Sequence, residues 1–266
     1  MKVNILETGS AGNCVVASFS EKMKINGKEL AENPEAEPKW DYKKVIFDFG
    51  HNAYDLCLQR YKDKEYVINW ITVDDILITH SHLDHCADYP KMRNYAFPKE
   101  YKVFTFPVVH NVENRGFVVL NEKMREGFIY ATDYSEIPTE SLEKIKAFVA
   151  FKDWRWFAML ELSFVRWIYE KLDATQMIGL NHHCAYETFC HYADEILAVN
   201  PAVNILTLHA SARQGKYIEG ENKTGDVCPP DYVREQLWKK YGKKGFSVRF
   251  GEAGGMCGNY NYIDKN

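Results

Sequence analysis

The sequence DILIT occupies residues 75–79, and HSHLDH follows it directly at residues 80–85. The first segment is rich in aliphatic and β-branched residues, which predicts a strand buried on both faces. The second segment brings three imidazoles and one carboxylate to the point where that strand would end. Nitrogen and oxygen donors at this density predict a metal site. The alternative, four polar side chains on an exposed loop, is disfavoured because the pattern is rare by chance.

The spacing within HSHLDH predicts two neighbouring metal positions. His80 and His82 are two residues apart, so in an extended loop their side chains point to the same side. If a helix begins next, Asp84 and His85 turn toward a second position. Imidazole and carboxylate ligands suit Zn²⁺ and Mn²⁺. We therefore expect two divalent metal ions, with Zn²⁺ as the first choice and Mn²⁺ as the alternative.

Three further donors stand at the ends of other apolar runs. His110 ends YKVFTFPVVH, Asp133 ends GFIYATD, and His209 ends AVNILTLH. Because α/β sheets bind ligands at the carboxyl ends of their strands, we expect these residues to complete the two sites. The alternative for each is a surface histidine or a helix-capping aspartate. Asp48 ends KVIFD in the same way, and a supporting role is favoured for it over direct ligation.

The composition restricts the class of protein. The chain has 266 residues, of which 46% are hydrophobic and 26% charged, so it can bury a core of its own. A net charge of −4 disfavours a broad basic surface for long nucleic acids. Seven cysteines without a CxxC pair indicate reduced thiols. No apolar run is long enough for a signal peptide or a membrane span, so we expect a cytoplasmic protein with no membrane contact.

The hydrophobic periodicity predicts a single α/β domain over residues 1–266. Runs typical of strands occupy 3–8, 14–19, 44–48, 75–79, 102–109, 116–120, 127–132, 203–208 and 246–250. Helical spacing is found at 52–62, 139–149, 187–198 and 230–241. The polar residues 20–43 are expected to form an exposed loop or hairpin.

Taken together, these motifs resemble the metallo-β-lactamase-fold hydrolases. The resemblance rests on TGSAGNC, FDFG, HSHLDH, VVHNVENRGFVV, YATD and ILTLHAS, which span most of the chain. It implies a four-layered αββα sandwich with metals at one edge of its two sheets. It also implies a ligand set for two metals: His80, His82 and His110 at one, Asp84, His85 and His209 at the other, and Asp133 bridging them.

Within that superfamily the chain is similar to phage and bacterial cyclic-nucleotide phosphodiesterases of the anti-Pycsar type. This implies a small anionic substrate, a cyclic mononucleotide hydrolysed to the linear monophosphate, and no stable complex with nucleic acid. The catalytic residues implied are Asp84 and Asp133, which orient the attacking water, and His183, which protonates the leaving oxygen. The alternatives are a nuclease acting on single-stranded nucleic acid and, third, a lactone or thioester hydrolase. A homodimer is left open.

Several residues carry weaker predictions. His183 falls on the family's turn histidine, within HHCA at 182–185, but a histidine that merely precedes a helix is an equal alternative. The Gly9–Asn13 turn is expected to be a tight hairpin turn rather than a phosphate cradle. Cys86 is expected to be a buried small residue rather than a ligand. The aromatic segment 151–172, together with Tyr134, is a candidate for stacking on a base, although core or interface packing is favoured for the segment.

Overall fold

The computed structural model describes residues 2–7, 12–20, 42–62, 73–92, 102–166, 180–209, 228–242 and 248–249. Its first sheet has four strands in chain order: β1 (Lys2–Glu7), β2 (Cys14–Ser20), β3 (Tyr42–Phe47) and β4 (Val73–Leu77). β2 runs antiparallel to β1 and β3, whereas β3 and β4 are parallel. The carboxyl ends of β3 and β4 therefore meet at one edge, which brings Asp48 beside HSHLDH.

The second sheet has six strands in the order β10-β9-β8-β7-β6-β5. They are β5 (Lys102–Val108), β6 (Asn114–Asn121), β7 (Glu126–Ala131), β8 (Arg155–Glu161), β9 (Asn204–Leu208) and β10 (Val248–Arg249). β5, β6 and β7 are antiparallel, and β7, β8, β9 and β10 are parallel. Because β7, β8 and β9 are adjacent and parallel, the residues that follow them share an edge.

The described α-helices are α1 (Ala53–Lys62), α2 (Leu83–Cys86), α3 (Thr139–Val149), α4 (Tyr186–Val199) and α5 (Pro230–Tyr241). The helical spacing predicted for the four longer ones is confirmed. α4, for example, buries Phe189, Ala193, Ile196 and Leu197, which recur at the three- and four-residue spacing of one helix face. None of the described helices combines the length and the apolar composition that a bilayer crossing requires.

The sheets and helices form four layers. Between the two sheets, a buried cluster joins residues of both, such as Phe47 from β3 and Phe117 and Tyr130 from the second sheet. α1 packs on the outer face of the first sheet through Ala53 and Cys57. α3, α4 and α5 cover the outer face of the second sheet. The predicted αββα sandwich is thus confirmed, and burial of these apolar faces is the main stabilising contribution to it.

The sequence prediction missed one strand and left two expectations untested. β8 lies inside the aromatic segment 151–172, where Trp156 and Phe157 are buried. A central parallel strand covered on both faces carries no apolar–polar alternation, so its periodicity did not distinguish it from other packing. Most of the loop predicted at 20–43 lies outside the described residues. The assignment of 1–266 to a single domain stays a prediction.

The thiol predictions can be compared with the described cysteines. The six described cysteines form no disulfide with one another, and Cys257 lies outside the described residues, so the reduced state stays a prediction. Cys86 is only half-buried rather than buried. Its Sγ donates to the Ser81 carbonyl at 3.4 Å, and burial raises the pKa of the thiol.

Candidate metal centre

The structure brings all seven predicted ligands together at the edge where the carboxyl ends of strands from both sheets meet. Their donor atoms form two groups, and within each group all atoms lie within 4.8 Å of one another. The first group is His80, His82, His110 and Asp133, and the second is Asp84, His85, Asp133 and His209. Asp133 is common to both, which is the placement a bridging ligand requires. Coordination by these residues remains a prediction.

In the first group, three imidazoles surround one oxygen of Asp133. His80 Nε2 lies 3.0 Å from His82 Nδ1 and 3.6 Å from Asp133 Oδ2. His110 Nε2 lies 3.9 Å from the same Oδ2. The ring of His110 is 5.2 Å from the rings of both His80 and His82. The sequence spacing therefore predicted correctly that His80 and His82 face the same side.

In the second group, the other oxygen of Asp133 is shared by two imidazoles. Asp133 Oδ1 lies 3.1 Å from His209 Nε2 and 3.3 Å from His85 Nε2. Asp84 Oδ2 lies 3.3 Å from His85 Nε2 and 3.6 Å from His209 Nε2. A helix does begin after His82, as expected, and its first turn carries Asp84 and His85 toward this second position.

Asp48 supports the two groups from behind. Its Oδ2 accepts hydrogen bonds from His85 Nδ1 at 2.8 Å and from the Tyr130 hydroxyl at 2.9 Å. Its Oδ1 accepts from the Thr79 backbone at 2.8 Å and from the Thr79 hydroxyl at 2.9 Å. That hydroxyl also lies 2.9 Å from His80 Nδ1. Holding one ring nitrogen in this way turns the other toward the cluster, which is the supporting role that the sequence favoured.

The surroundings of the two ring nitrogens of His110 show whether these residues fit a cation. Its Nδ1 donates to the His182 carbonyl at 3.1 Å, so the lone pair of the ring is on Nε2. That Nε2 is buried and has no hydrogen-bond partner among the described residues. It faces the Asp133 carboxylate at 3.9 Å, so two electron-rich atoms oppose each other. A metal ion between them would satisfy both, and the donor set therefore fits a divalent cation.

The electrostatics of the cluster favour positive charge at the second group. Burial disfavours a charge on His85, yet Asp133 and Asp48 outweigh it and raise the pKa of His85 well above its usual value. Burial also opposes a charge on His209, but Asp133 and the hydrogen bond with Asp84 raise its pKa to about 10. These three carboxylates thus attract positive charge, whether a proton or a metal ion supplies it.

The first group behaves differently. Burial, reinforced by the neighbouring charge of His85, lowers the pKa of His80 to about 3. Burial likewise lowers the pKa of His110. Both rings are therefore neutral at pH 7, and each can offer a nitrogen lone pair to a metal ion without first losing a proton.

Three residues of this edge adopt backbone conformations that are unusual for their type. The φ angles are 56° at Asp48, 53° at Asp133 and 59° at His209. The left-handed region costs a residue with a Cβ about 1–2 kcal/mol, less for Asp than for most. Each residue lies one or two positions after the last residue of a strand. The left-handed turn there directs its side chain toward the cluster.

The sequence prediction missed Glu161, which ends β8 and is fully buried. Its Oε1 accepts a hydrogen bond from Ser163 and lies 2.7 Å from His183 Nδ1. Its Oε2 accepts from the Tyr134 backbone N–H at 2.6 Å. The position after an apolar run singled out Asp133 and His209, and it would have singled out Glu161 too, had WFAMLE been recognised as a strand.

His183 lies next to the second group. Its ring stacks on that of His209 with centroids 5.1 Å apart and an interplanar angle of 11°. The side chain is 18% exposed, so one edge reaches solvent. The neighbouring His182, by contrast, contributes its backbone carbonyl to His110. The structure therefore places the side chain of His183, and not that of His182, against Glu161.

The expectation that Tyr134 stacks on a substrate base is wrong. Tyr134 is fully buried, its ring lies 6.0 Å from that of Tyr192, and burial raises the pKa of its hydroxyl. The positive φ at Asp133 turns the chain so that the next side chain enters the core under α4.

The described aromatic residues of 151–172 do not line the cluster either. Trp156, Phe157 and Phe164 are buried, as the favoured packing interpretation expected. Trp154 precedes β8 and stacks on Trp156, so it lies at the end of this strand opposite to Glu161. Trp167 lies outside the described residues.

A cavity of about 470 Å³ adjoins the first group beside His80. Its lining includes Tyr89, which is 41% exposed, and the exposed pair of Glu113 and Arg115. Arg115 Nη2 donates to Glu113 Oε1 at 2.6 Å. The cavity is within the size range of small-molecule sites and offers an aromatic face and a guanidinium group.

Two facing sheets, outer helices and a histidine–aspartate cluster at their common edge define this chain as a protein of the metallo-β-lactamase fold. It is similar to yeast PDE1, with a TM-score of 0.54, 10% identity and coverage of 95% of this chain and 97% of that one. The match to a diphosphatase of the PhnP family has a TM-score of 0.52 and 14% identity, and it covers 95% of each chain. The match to the metallo-β-lactamase fold protein YhfI of Bacillus subtilis has a TM-score of 0.51 and 12% identity, and it covers 95% of this chain and 96% of that one.

Sequence comparisons are silent by contrast. No protein-family model and no curated protein sequence matches this chain. At identities this low, the likeness to the solved structures defines the fold and leaves the reaction to be argued from the residues of the site.

Proposed function

We propose that this chain is a metal-dependent phosphodiesterase. The observation that carries the proposal is the pair of donor groups that share Asp133, with one carboxylate oxygen facing each group. A shared carboxylate between two clusters of imidazoles suits two adjacent divalent ions, and such pairs hold the attacking and the leaving oxygen of a phosphoryl group. Support also comes from the names of two proteins of similar fold, a diphosphatase and PDE1.

Zn²⁺ is the proposed native metal because five imidazoles and two carboxylates form the donor set, with Mn²⁺ as the alternative. Two such ions would supply a water of lowered pKa and positive charge for the phosphate oxygens. Asp84 and Asp133 are the chain's own contribution to the nucleophile, since their oxygens can accept hydrogen bonds from water and so orient it. Their two negative charges do not cancel those of the two ions, so the site stays attractive to an anion.

His183 is the proposed proton donor to the leaving oxygen. Glu161 engages its Nδ1 at 2.7 Å, which fixes the ring and leaves Nε2 as the atom that donates to substrate. We assign Glu161 to this positioning role and not to metal binding, although it lies within 4.8 Å of Asp133 and His209. The reason is that both of its oxygens already contact protein donors, namely Ser163, His183 and the backbone of Tyr134.

The proposed substrate is a 3′,5′-cyclic mononucleotide, hydrolysed to the linear monophosphate. In this reaction a water oxygen bonds to phosphorus and releases a proton to solvent, and the bond between phosphorus and one ribose oxygen breaks. His183 supplies the proton that this leaving oxygen takes up and is then reprotonated from solvent. The cavity beside His80 has room for a nucleoside, and Tyr89 and Arg115 offer planar groups to a base. A net charge of −4 also favours a small anion over a long polyanion.

A substrate panel tests the proposal. Purified protein loaded with Zn²⁺ or Mn²⁺ would be assayed on bis(p-nitrophenyl) phosphate, cyclic mononucleotides, cyclic dinucleotides, single-stranded RNA and DNA, and lactones. We expect turnover of bis(p-nitrophenyl) phosphate and of at least one cyclic mononucleotide. Brisk degradation of RNA or DNA with cyclic AMP, GMP, CMP and UMP untouched would replace this proposal by a nuclease. Lactone turnover without phosphodiester turnover would replace it by a carboxylic ester hydrolase.

A further inference from the structure

Asn13 contacts the second donor group from a segment distant in sequence. Asn13 directly precedes β2 and is buried, with only 1% of its surface exposed. The amide nitrogen Nδ2 lies 3.4 Å from Asp84 Oδ2, 3.5 Å from the Asp84 carbonyl and 3.0 Å from His85 Nε2. The Asn13 amide thus lies between two of the predicted ligands of the second metal position.

The backbone of Asn13 is fixed independently of this side chain. Its N–H donates to the Asp84 carbonyl at 2.7 Å, and its carbonyl accepts from the Gly50 N–H at 3.0 Å. Residues 9–11 of the Gly9–Asn13 turn lie outside the described residues, so the expected hairpin turn stays a prediction. Because these two backbone hydrogen bonds do not involve the side chain of Asn13, a substitution can remove the amide without breaking them.

Gly50 shows how closely the three segments approach. A Cβ on this glycine would lie 1.8 Å from the Asp84 carbonyl oxygen and 2.9 Å from the Asn13 nitrogen. The neighbouring Phe49 N–H donates to the His85 carbonyl at 2.7 Å. Backbone therefore packs on backbone here, and the short helix α2, which carries Asp84, has little freedom to move. Its carboxylate is less constrained, because this side chain is 21% exposed.

We propose that Asn13 is a positioning residue for the second metal position. Its amide donates to the Asp84 carboxylate and keeps that carboxylate at a fixed separation from His85. It thereby sets the affinity of the group formed by Asp84, His85 and His209, while the group around His80, His82 and His110 is unaffected. This inference rests on the proposed function in one respect, namely that cations fill both groups.

Metal titration of four purified proteins tests the inference. They are the wild type, Asn13→Ala, Asn13→Leu, and Cys14→Ala as a matched control that changes the adjacent buried residue, which belongs to the cluster under α1. Each metal-stripped protein would be titrated with Zn²⁺ by calorimetry and with Co²⁺ by visible absorbance. For both Asn13 variants we expect about 10–100-fold weaker binding at the second position, an altered Co²⁺ spectrum for the second equivalent, and an unchanged first position. Cys14→Ala should bind as the wild type does.

The two Asn13 variants separate hydrogen bonding from filling of space, because leucine has the same number and branching of side-chain heavy atoms as asparagine but no hydrogen-bond donor. Wild-type affinity in Asn13→Leu would overturn the proposal, and so would equal weakening of both positions. Asn13→Ser keeps a short donor and should retain intermediate affinity, so it serves as the test variant if the other two do not fold. If the wild type itself binds fewer than two ions, the proposed function fails. If it binds two and the variants bind equally well, this inference alone fails.

Discussion

Glu161 Oε1 lies 2.7 Å from His183 Nδ1, and this contact orients the ring that stacks on His209. A buried carboxylate that accepts from one ring nitrogen leaves the other as the only one able to exchange a proton with substrate. The pair therefore gives the proposed reaction a proton donor with a defined orientation.

Replacing His183 with Ala should lower kcat for a cyclic mononucleotide by about 10²–10⁴-fold, because the leaving ribose oxygen then lacks a proton donor. The loss should be much smaller for bis(p-nitrophenyl) phosphate, whose leaving group departs readily without a proton. Steady-state kinetics on both substrates, with metal content measured in parallel, provide the check. Equal losses on the two substrates would show that His183 does not act as the acid.

Asp84→Ala should abolish turnover and reduce the metal content from two ions to one, because a ligand of the second group is removed. Asp84 lies outside the apolar core, so the metal-stripped variant should still fold, with a lowered melting temperature because His85 and His209 lose a carboxylate partner. Elemental analysis and thermal unfolding provide these two readouts. Glu122→Gln is the control, since it changes an exposed carboxylate outside both donor groups and outside the cavity beside His80. Near wild-type activity of Asp84→Ala at saturating metal would contradict the ligand assignment.

Tyr89→Ala should raise KM for a cyclic mononucleotide by about 5–150-fold, the range that corresponds to the loss of one base–aromatic stack. Tyr89→Phe keeps the ring and should behave as the wild type. A methyl riboside 3′,5′-cyclic phosphate, which has no base, serves as the comparison substrate. Its KM should not respond to either change, and an equal response of both substrates would place the base elsewhere.

The two metal positions should differ in their response to pH. The pKa of His209 is raised to about 10 and that of His85 lies well above its usual value, so a cation must displace protons from the second group at pH 7. Affinity there should rise as pH increases from 6 toward 9. The pKa of His80 is about 3, so the first position should change far less over this range. Calorimetry in buffers of different ionisation enthalpy would count the protons released; none released with the second ion would contradict this prediction.

The clustering of these seven side chains was predictable from sequence because candidate metal donors concentrate where strands end. HSHLDH follows β4, and Asp133 and His209 follow runs whose apolar character predicts burial. This local pattern predicted an α/β domain, whereas the four-layered αββα sandwich was implied by the resemblance of the motifs to metallo-β-lactamase-fold hydrolases.

The remaining site residues were not predictable in the same way. Glu161 was missed because β8 has no apolar–polar alternation. The contact of Asn13 with Asp84 joins residues 71 positions apart, and nothing in the local sequence specifies it. Tyr134 was assigned to the wrong side because the sequence does not reveal the left-handed turn at Asp133.

That left-handed geometry at Asp48, Asp133 and His209 places this protein on a stability–activity trade-off. Glycine tolerates the conformation without cost, so His209→Gly should unfold at a higher temperature than His209→Ala in metal-stripped protein. For the backbone strain alone, glycine or asparagine would be the more stable choice at these strand ends, and either would discard the site. Only selection for turnover would keep the strained residues in place.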